Sequence, residues 1–212
     1  SEVQPGGIET PPPDPVGFAL AGVVLAGMVA ALGYAAWRVG TGRQRLLQLL
    51  RLGPSPLPYA KTCPEPSRRM WVIPLLALVG LGIATYLAYV EITSVAVVCG
   101  PVGECGFVQS SPYARILGVP VAVLGMLHYL AIVALWRGQR YQVRRWANLS
   151  ALGLLGLTLF GTLFSVYLTC LEIFVVRAIC TWCLGSAVIT TTLTFLVVTP
   201  VTSRSSLKKV KI

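Results

Sequence analysis

Five long apolar runs constrain the fold of this chain more than any other feature. Each run lies close to the roughly 20 residues that an α-helix needs to cross the apolar core of a bilayer. Because an isolated strand cannot satisfy its backbone hydrogen bonds in lipid, each continuous run predicts a membrane-spanning helix. The runs extend approximately from Val16 to Trp37, Trp71 to Val90, Val119 to Trp136, Trp146 to Leu171 and Ile179 to Thr199.

The composition agrees with several membrane spans. The chain of 212 residues is 55% hydrophobic and 11% charged, with a mean hydropathy of +0.75. A soluble domain carries about a quarter charged residues, and a disordered chain is far more polar. The 6 cysteines are too few for a small disulfide-stapled scaffold. We therefore expect an all-α integral membrane protein.

The distribution of charge predicts the orientation of the spans. Of the 17 Lys and Arg residues, all but Arg115 and Arg177 lie on one side of the five spans, and all but Glu65 of the 7 acidic residues lie on the other. By the positive-inside rule, the N-terminus is outside and the C-terminus is cytoplasmic. The net charge of +10 then reflects loops beside an anionic leaflet rather than a nucleic-acid surface.

These observations divide the chain into five parts. A polar, Pro-rich tail at 1–15 lies outside, and its composition is typical of extended backbone. A first helix at 16–37 is followed by a basic cytoplasmic loop at 38–70. The region 71–199 holds the other four spans, and a basic cytoplasmic tail follows at 200–212.

Four of the cysteines form two pairs on the predicted outer side. Cys99 and Cys105 lie between the second and third spans, and Cys180 and Cys183 form a Cys-Thr-Trp-Cys motif at the outer end of the last span. Disulfides persist on the non-cytoplasmic side of a membrane. Both pairs are therefore placed where they are able to form disulfides.

A CxxC motif at the start of a helix favours redox chemistry. Its first thiol lies near free backbone N–H groups and the positive end of the helix dipole, which stabilise a thiolate. We expect Cys180 to be the more exposed thiol and Cys183 to face the helix bundle. A dithiol buried in a membrane needs an electron acceptor that dissolves in lipid, and a quinone is the most plausible one.

Two structural interpretations compete with redox activity. A zinc site with four thiolates usually takes two CxxC-like knuckles, and the C-x5-C spacing of the first pair fits this poorly. Two inert disulfides would make the chain a non-catalytic membrane protein. However, a CxxC disulfide closes almost no loop and stabilises a fold little. We therefore expect a redox enzyme without a metal and keep the structural protein as an alternative.

The residues around these cysteines resemble a known family. The run Cys105-Gly-Phe-Val-Gln-Ser-Ser-Pro-Tyr-Ala-Arg-Ile-Leu-Gly-Val-Pro-Val-Ala-Val-Leu-Gly follows Cys99 and precedes Tyr129 and the Cys180-x-x-Cys183 motif. Together they are similar to the vitamin K epoxide reductase family, most closely to its bacterial branch, from about Trp71 to Thr199. The resemblance implies a catalytic four-helix bundle, to which the first span is an addition. A disulfide oxidase of the DsbB type places its cysteine pairs in the opposite order.

The resemblance also implies a route for electrons. Cys99 would be attacked by a reduced thioredoxin-like (DsbA-like) partner in the outer compartment, either a separate protein or a domain fused upstream. The freed Cys105 would attack Cys180, and Cys183 would pass electrons to ubiquinone, menaquinone or a phylloquinone-like acceptor. The implied location is the bacterial inner membrane, and the implied role is disulfide bond formation.

Several residues are expected near the quinone. Ser111 and Tyr129 match positions of the family motif. Val121 and Ala187 match an asparagine and a tyrosine of the vertebrate branch, so two hydrogen-bonding groups are missing here. This favours plain quinone reduction, with vitamin K quinone or epoxide reduction as the alternative. Ser111 before Pro112 also predicts the N-cap of a short outer half-helix that ends near Leu117.

The remaining ionisable and thiol groups are assigned roles outside the electron route. His128, the single histidine, lies within a span, where it is either a proton carrier or a neutral group hydrogen-bonded in the bundle. Near the outer interface, the charged side chains of Glu91, Glu172 and Arg177 are expected to anchor or pair. Cys170 is expected to be a small apolar residue or an auxiliary thiol. Cys63 is expected to be a bystander in the cytoplasmic loop.

Overall fold

The computed structural model describes residues 14–51, 68–93, 95, 97–99, 105–139 and 144–199. The expected N-terminal tail up to residue 13, most of the loop between the first two spans including Cys63, and the basic C-terminal tail lie outside the described residues.

The described chain is almost entirely helical. Its helices are α1 (Pro15–Arg51), α2 (Arg68–Thr93), α3 (Cys105–Ser110), α4 (Val121–Gly138), α5 (Arg144–Cys170) and α6 (Thr181–Val198). Within the described residues, five helices are long and apolar enough to cross a membrane, over 15–40, 71–93, 121–138, 149–176 and 181–198. Large apolar side chains such as Leu75 and Phe160 point outward, as they do toward lipid. The predicted all-α, multi-pass membrane fold is confirmed.

Several helix boundaries differ from those read from the sequence. Helix α1 continues past Trp37 to Arg51, into the segment expected to be a loop. A π-helical turn, Leu171–Val176, extends the fourth span beyond α5. Helix α4 begins at Val121, because the residues before it belong to a strand. Hydropathy locates the apolar centre of a helix well and its ends poorly.

Four helices form a closed ring, and α1 packs on its outside. Around the ring, α2 contacts α4, α4 contacts α5, α5 contacts α6 and α6 contacts α2, whereas α1 contacts α5 and α6. Small residues allow this close approach. A Cβ atom at Gly80 of α2 would overlap the ring of Tyr129 on α4, so this glycine makes room for the most bulky side chain of the core.

The two ends of the bundle carry different side chains. At one end, Ala21 of α1 packs against Ile179 and Leu184, which lie around the start of α6. At the other end, Trp71 and Trp136 lie with their ring centroids 6.2 Å apart. We call the first the cysteine end, since the CxxC motif is located there.

A short cap covers the cysteine end. It consists of α3, one 3-10 turn (Pro112–Ala114) and a hairpin of β1 (Arg115–Ile116) and β2 (Val119–Pro120), in which Arg115 pairs with Pro120 and Ile116 with Val119. The two residues of its turn, Leu117 and Gly118, both have positive φ, 52° and 82°. This is the backbone that tight hairpins require.

The half-helix expected from Pro112 to Leu117 is present only as a 3-10 turn that ends at Ala114, and an α-helical segment that the sequence did not predict lies before it, at Cys105–Ser110. Ser111 has an extended backbone (φ −68°, ψ 150°) and makes no side-chain cap. Instead, its hydroxyl donates back to the Val108 carbonyl at 2.7 Å, at the end of α3, while its own carbonyl accepts the Ala114 N–H at 3.0 Å and so begins the 3-10 turn.

Candidate active site

The first cysteine pair joins the cap to the chain that precedes it. Cys99 and Cys105 form a disulfide, with their Cα atoms 6.0 Å apart. The backbone N–H of Cys105, at the start of α3, donates to Cys99 Sγ at 3.1 Å. Cys105 is fully buried, whereas Cys99 is half-buried. Within this pair, Cys99 is therefore the thiol more open to a second protein.

The residue before Cys99 is fixed by side chains from two helices. The Val98 N–H donates to the Tyr86 hydroxyl of α2 at 3.1 Å, and the Val98 carbonyl accepts from Trp182 Nε1 of α6 at 2.9 Å. The two aromatic rings lie against each other with their centroids 5.3 Å apart. Because Trp182 lies inside the CxxC motif, this contact ties the first cysteine pair to the second.

The second cysteine pair begins helix α6. Cys180 is the N-cap residue, and its sulfur accepts the N–H of Cys183 at 3.3 Å. Both carry free thiols. The expected exposure of Cys180 is wrong, because this residue is fully buried, whereas Cys183 is half-buried and lines a cavity inside the bundle. The cap covers Cys180, since Cys105 Sγ lies 3.5 Å from the hydroxyl of the next residue, Thr181.

A cavity of about 490 Å³ opens beside Cys183, between the four ring helices and under α3. Its walls are mainly apolar side chains such as Leu87, Leu157 and Phe164. The four residues expected near a quinone all line this cavity, and their role in binding stays a prediction; they are Ser111, Val121, Tyr129 and Ala187.

The hydroxyl of Tyr129 is already engaged within the bundle. It lies 2.8 Å from Ser186 Oγ and 3.0 Å from Thr190 Oγ1, both on α6. Its ring contributes to the cavity wall. Tyr129 therefore contributes shape to the cavity, while its polar atom holds α4 against α6.

Two side chains that line the cavity carry buried polar atoms without a hydrogen-bond partner among the described residues. These atoms are Gln109 Nε2 and Oε1 and His128 Nε2. Both residues line the cavity, Gln109 from α3 and His128 from α4. A Cβ atom at Gly161 would overlap the imidazole, so this glycine lets His128 lie against α5. His128 stood out as the single histidine, but the sequence carries no comparable signal for Gln109.

A buried carboxylate contacts the CxxC motif directly. Glu172 is only 5% exposed, and its Oε2 accepts the backbone N–H of Cys180 at 3.2 Å. Glu172 and Cys183 line the same cavity. The sequence suggested an interfacial anchor or ion pair, which holds for Glu91, paired with Arg115 at 3.1 Å. For Glu172, the structure instead gives a contact with the CxxC motif, at the backbone N–H of Cys180.

The backbone before the CxxC explains this placement. Glu172 lies in the π-helical turn, and Arg177 has the left-handed φ of 53° where the chain turns back toward α6. Neither feature has a clear hydropathy signal. Among the described residues, no group of three or more His, Cys, Asp and Glu side chains is arranged to hold a metal ion.

A membrane bundle with a disulfide in its cap, a CxxC motif beneath it and an apolar cavity beside the second thiol defines a membrane redox protein. A family model described as the vitamin K epoxide reductase family matches residues 71–198. The chain belongs to this family. The match covers the ring of four helices and the cap, and it leaves α1 outside.

Proposed function

We propose that this protein is a quinone-dependent thiol–disulfide oxidoreductase that oxidises a thioredoxin-like partner and so supports disulfide bond formation. One observation carries the proposal. Cys183 lines a large apolar cavity, while its CxxC partner Cys180 lies under the cap that holds the Cys99–Cys105 disulfide. The CxxC pair therefore lies between a thiol-exchange site and a site for a lipid-soluble acceptor.

The contacts support an order of exchange among the four cysteines. The partner thiolate attacks Cys99, the less buried sulfur of the loop pair, and releases Cys105. Cys105 attacks Cys180 in the oxidised CxxC pair and frees Cys183. The second partner thiol resolves the bond to Cys99 and leaves as the partner disulfide, and Cys99 then displaces Cys180 from Cys105. The loop disulfide is restored, and the CxxC pair holds the two electrons.

The cavity fits a quinone by size and by chemistry. Ligand sites of this kind have volumes of roughly 300–1,000 Å³ and combine apolar walls with a few convergent polar groups. Here the polar groups are Gln109 and His128, whose unpaired atoms include a donor amide, an acceptor oxygen and an imidazole nitrogen. These two residues would hold the carbonyl oxygens of the ring. When bound, the quinone accepts two electrons and two protons and leaves as the quinol.

The cavity favours plain quinone reduction over epoxide chemistry. Val121 and Ala187, at the positions of the vertebrate asparagine and tyrosine, line the cavity with apolar side chains only. The proposed location is the bacterial inner membrane, with the cysteine end on the extracytoplasmic side. This orientation is supported by the distribution of the 17 basic residues.

The proposal is tested with the purified full chain, a reduced thioredoxin-like protein such as DsbA, and a soluble short-chain ubiquinone or menaquinone. We expect the partner disulfide and the quinol to form in equal amounts over many turnovers. A folded chain that keeps its Cys99–Cys105 disulfide but reduces neither quinone would overturn the proposal and favour a structural role for the cysteines.

A further inference from the structure

We infer that Trp182 and Tyr86 are positioning residues for disulfide exchange: together they grip the backbone of Val98 and so hold Cys99 within reach of Cys105. We call this pair of side chains the Val98 clamp. The inference rests on the proposed function, because it concerns the exchange between the two cysteine pairs. It gives a role to the tryptophan inside the Cys-Thr-Trp-Cys motif, which the chemistry of the cysteines does not itself require.

The Val98 clamp engages both polar groups of one backbone residue. The Val98 N–H donates to the Tyr86 hydroxyl at 3.1 Å, and the Val98 carbonyl accepts from Trp182 Nε1 at 2.9 Å. The two aromatic rings brace each other, with their centroids 5.3 Å apart. Two hydrogen bonds to one residue fix its orientation as well as its position, and the next residue in the chain is Cys99.

The segment that carries Cys99 has no regular structure to hold it. The described residues 97–99 are neither helix nor strand, and Val98 is 73% exposed. Segments with exposed backbone and few buried contacts open easily. Side chains from α2 and α6 therefore supply here the hydrogen bonds that a helix or sheet supplies elsewhere in the fold.

Cys105 is held by a different part of the molecule. It begins α3, it is fully buried, and its Sγ lies 3.5 Å from the Thr181 hydroxyl. The Cys99–Cys105 disulfide thus joins a clamped segment to a helix that lies against the CxxC motif. When exchange breaks this bond, the Val98 clamp keeps Cys99 close to the sulfur that it must attack again, which raises its effective concentration.

The step that depends on the Val98 clamp conserves electrons. The Cys99 thiolate attacks the Cys105 sulfur of the Cys105–Cys180 disulfide. The Cys99–Cys105 bond forms, the Cys105–Cys180 bond breaks, and Cys180 leaves as the thiolate. One disulfide replaces another, so no external oxidant or reductant takes part.

The test measures which cysteines pair in the full chain with Cys183→Ser. In this background Cys105 bonds either Cys99 or Cys180. After equilibration and acid quench, free thiols are alkylated and the disulfide-linked peptides are quantified by mass spectrometry. Trp182→Phe keeps an aromatic ring but loses the N–H donor. We expect it to shift the pairing about fivefold toward the disulfide with Cys180, since one hydrogen bond changes an equilibrium constant by about that factor.

Tyr86→Phe makes the same test from α2. It removes the acceptor for the Val98 N–H and leaves the CxxC motif intact, so we expect a shift in the same direction. It also decides the matter if Trp182→Phe fails to assemble. The matched controls are Tyr89→Phe, one turn further along α2 with the residue 60% exposed, and Trp136→Phe at the other end of the bundle. Both controls should keep the wild-type pairing.

A purely structural contact predicts a different result. Removing it would lower the Tm of the purified protein without changing which cysteines pair. Wild-type pairing in either folded clamp variant would therefore overturn the inference, whatever its Tm. Equal shifts in the control variants would also overturn it, since the effect would then not depend on the Val98 clamp.

The pairing test uses neither quinone nor a protein partner, so it separates this inference from the proposed function. A wild-type chain that forms no quinol, with pairing that depends on the Val98 clamp, contradicts quinone reduction and supports the clamp. A wild-type chain that forms quinol, with pairing unchanged in the clamp variants, contradicts the clamp and supports quinone reduction.

Discussion

Cys180 and Cys183 lie three positions apart and have different surroundings. Cys180 is fully buried, its backbone N–H bonds Glu172 and the next residue contacts the cap, whereas Cys183 lines the cavity. Under the proposed function, a thiol pair divided in this way would exchange disulfides on one side and deliver electrons on the other. The division comes from the turn that precedes α6 and from the cap above it, so the CxxC motif alone does not reveal it.

The polar atoms of the cavity provide the first prediction at the residue scale. Gln109→Leu and His128→Phe each remove a hydrogen bond to a quinone carbonyl, which is worth about 1 kcal/mol, and each should raise the KM for quinone about fivefold. Steady-state kinetics with varied short-chain quinone measures this effect. Ser110→Ala is the control, because its hydroxyl bonds the Phe107 carbonyl and the residue does not line the cavity. An unchanged KM in both cavity variants would count against these residues as quinone contacts.

Helix packing depends on glycine at one defined crossing. Gly80→Ala on α2 would press a methyl group into the ring of Tyr129, which is 1% exposed and tied to α6 by its hydroxyl. Overpacking of this kind costs about 1–3 kcal/mol. We expect a clear fall in the apparent Tm of the detergent-purified protein. Gly82→Ala is the matched control two residues along, since a Cβ atom there meets nothing within 4 Å. Equal Tm values for the two variants would contradict the packing described here.

At the element scale, the sequence predicted the helices better than the cap. Twenty-residue apolar runs leave few alternatives in a membrane, and all five spans are found. The cap is short and half-polar, and its path depends on local hydrogen bonds. Ser111 bonds backward to Val108 instead of capping forward, and Leu117 takes a positive φ that is rare outside glycine. Neither the Ser111 hydrogen bond nor the Leu117 backbone conformation can be read from the order of residues in the sequence.

The candidate site was likewise predicted only in part from the sequence. The four cysteines lie at one end of the bundle, and the four residues expected near the quinone line a single cavity beside Cys183. Gln109 and the contact between Glu172 and the CxxC motif were missed. Both depend on how α3 and the π-helical turn are oriented toward the ring, and a composition or spacing pattern does not contain this information.

For the whole molecule, the distribution of charge predicts one orientation across the membrane. A fluorescent protein fused after residue 212 should fluoresce in intact bacteria, since it folds on the cytoplasmic side. Alkaline phosphatase fused at the same place should be inactive, because it needs an oxidising compartment for its disulfides. Active phosphatase with no fluorescence would indicate the opposite orientation. The cysteine end would then lie in the reducing cytoplasm, where the proposed oxidation of a partner would fail.

The most direct measurement of the central claim is a single turnover between the reduced CxxC pair and a quinone. The CxxC pair of the full chain is first reduced, and the protein is mixed with short-chain ubiquinone. The formation of quinol and of the Cys180–Cys183 disulfide is then measured over time. We predict that wild type and Cys170→Ser, a control free thiol at the end of α5, form both products in equal amounts, and that Cys183→Ser forms neither. Quinol formed at the wild-type rate by Cys183→Ser would contradict the account.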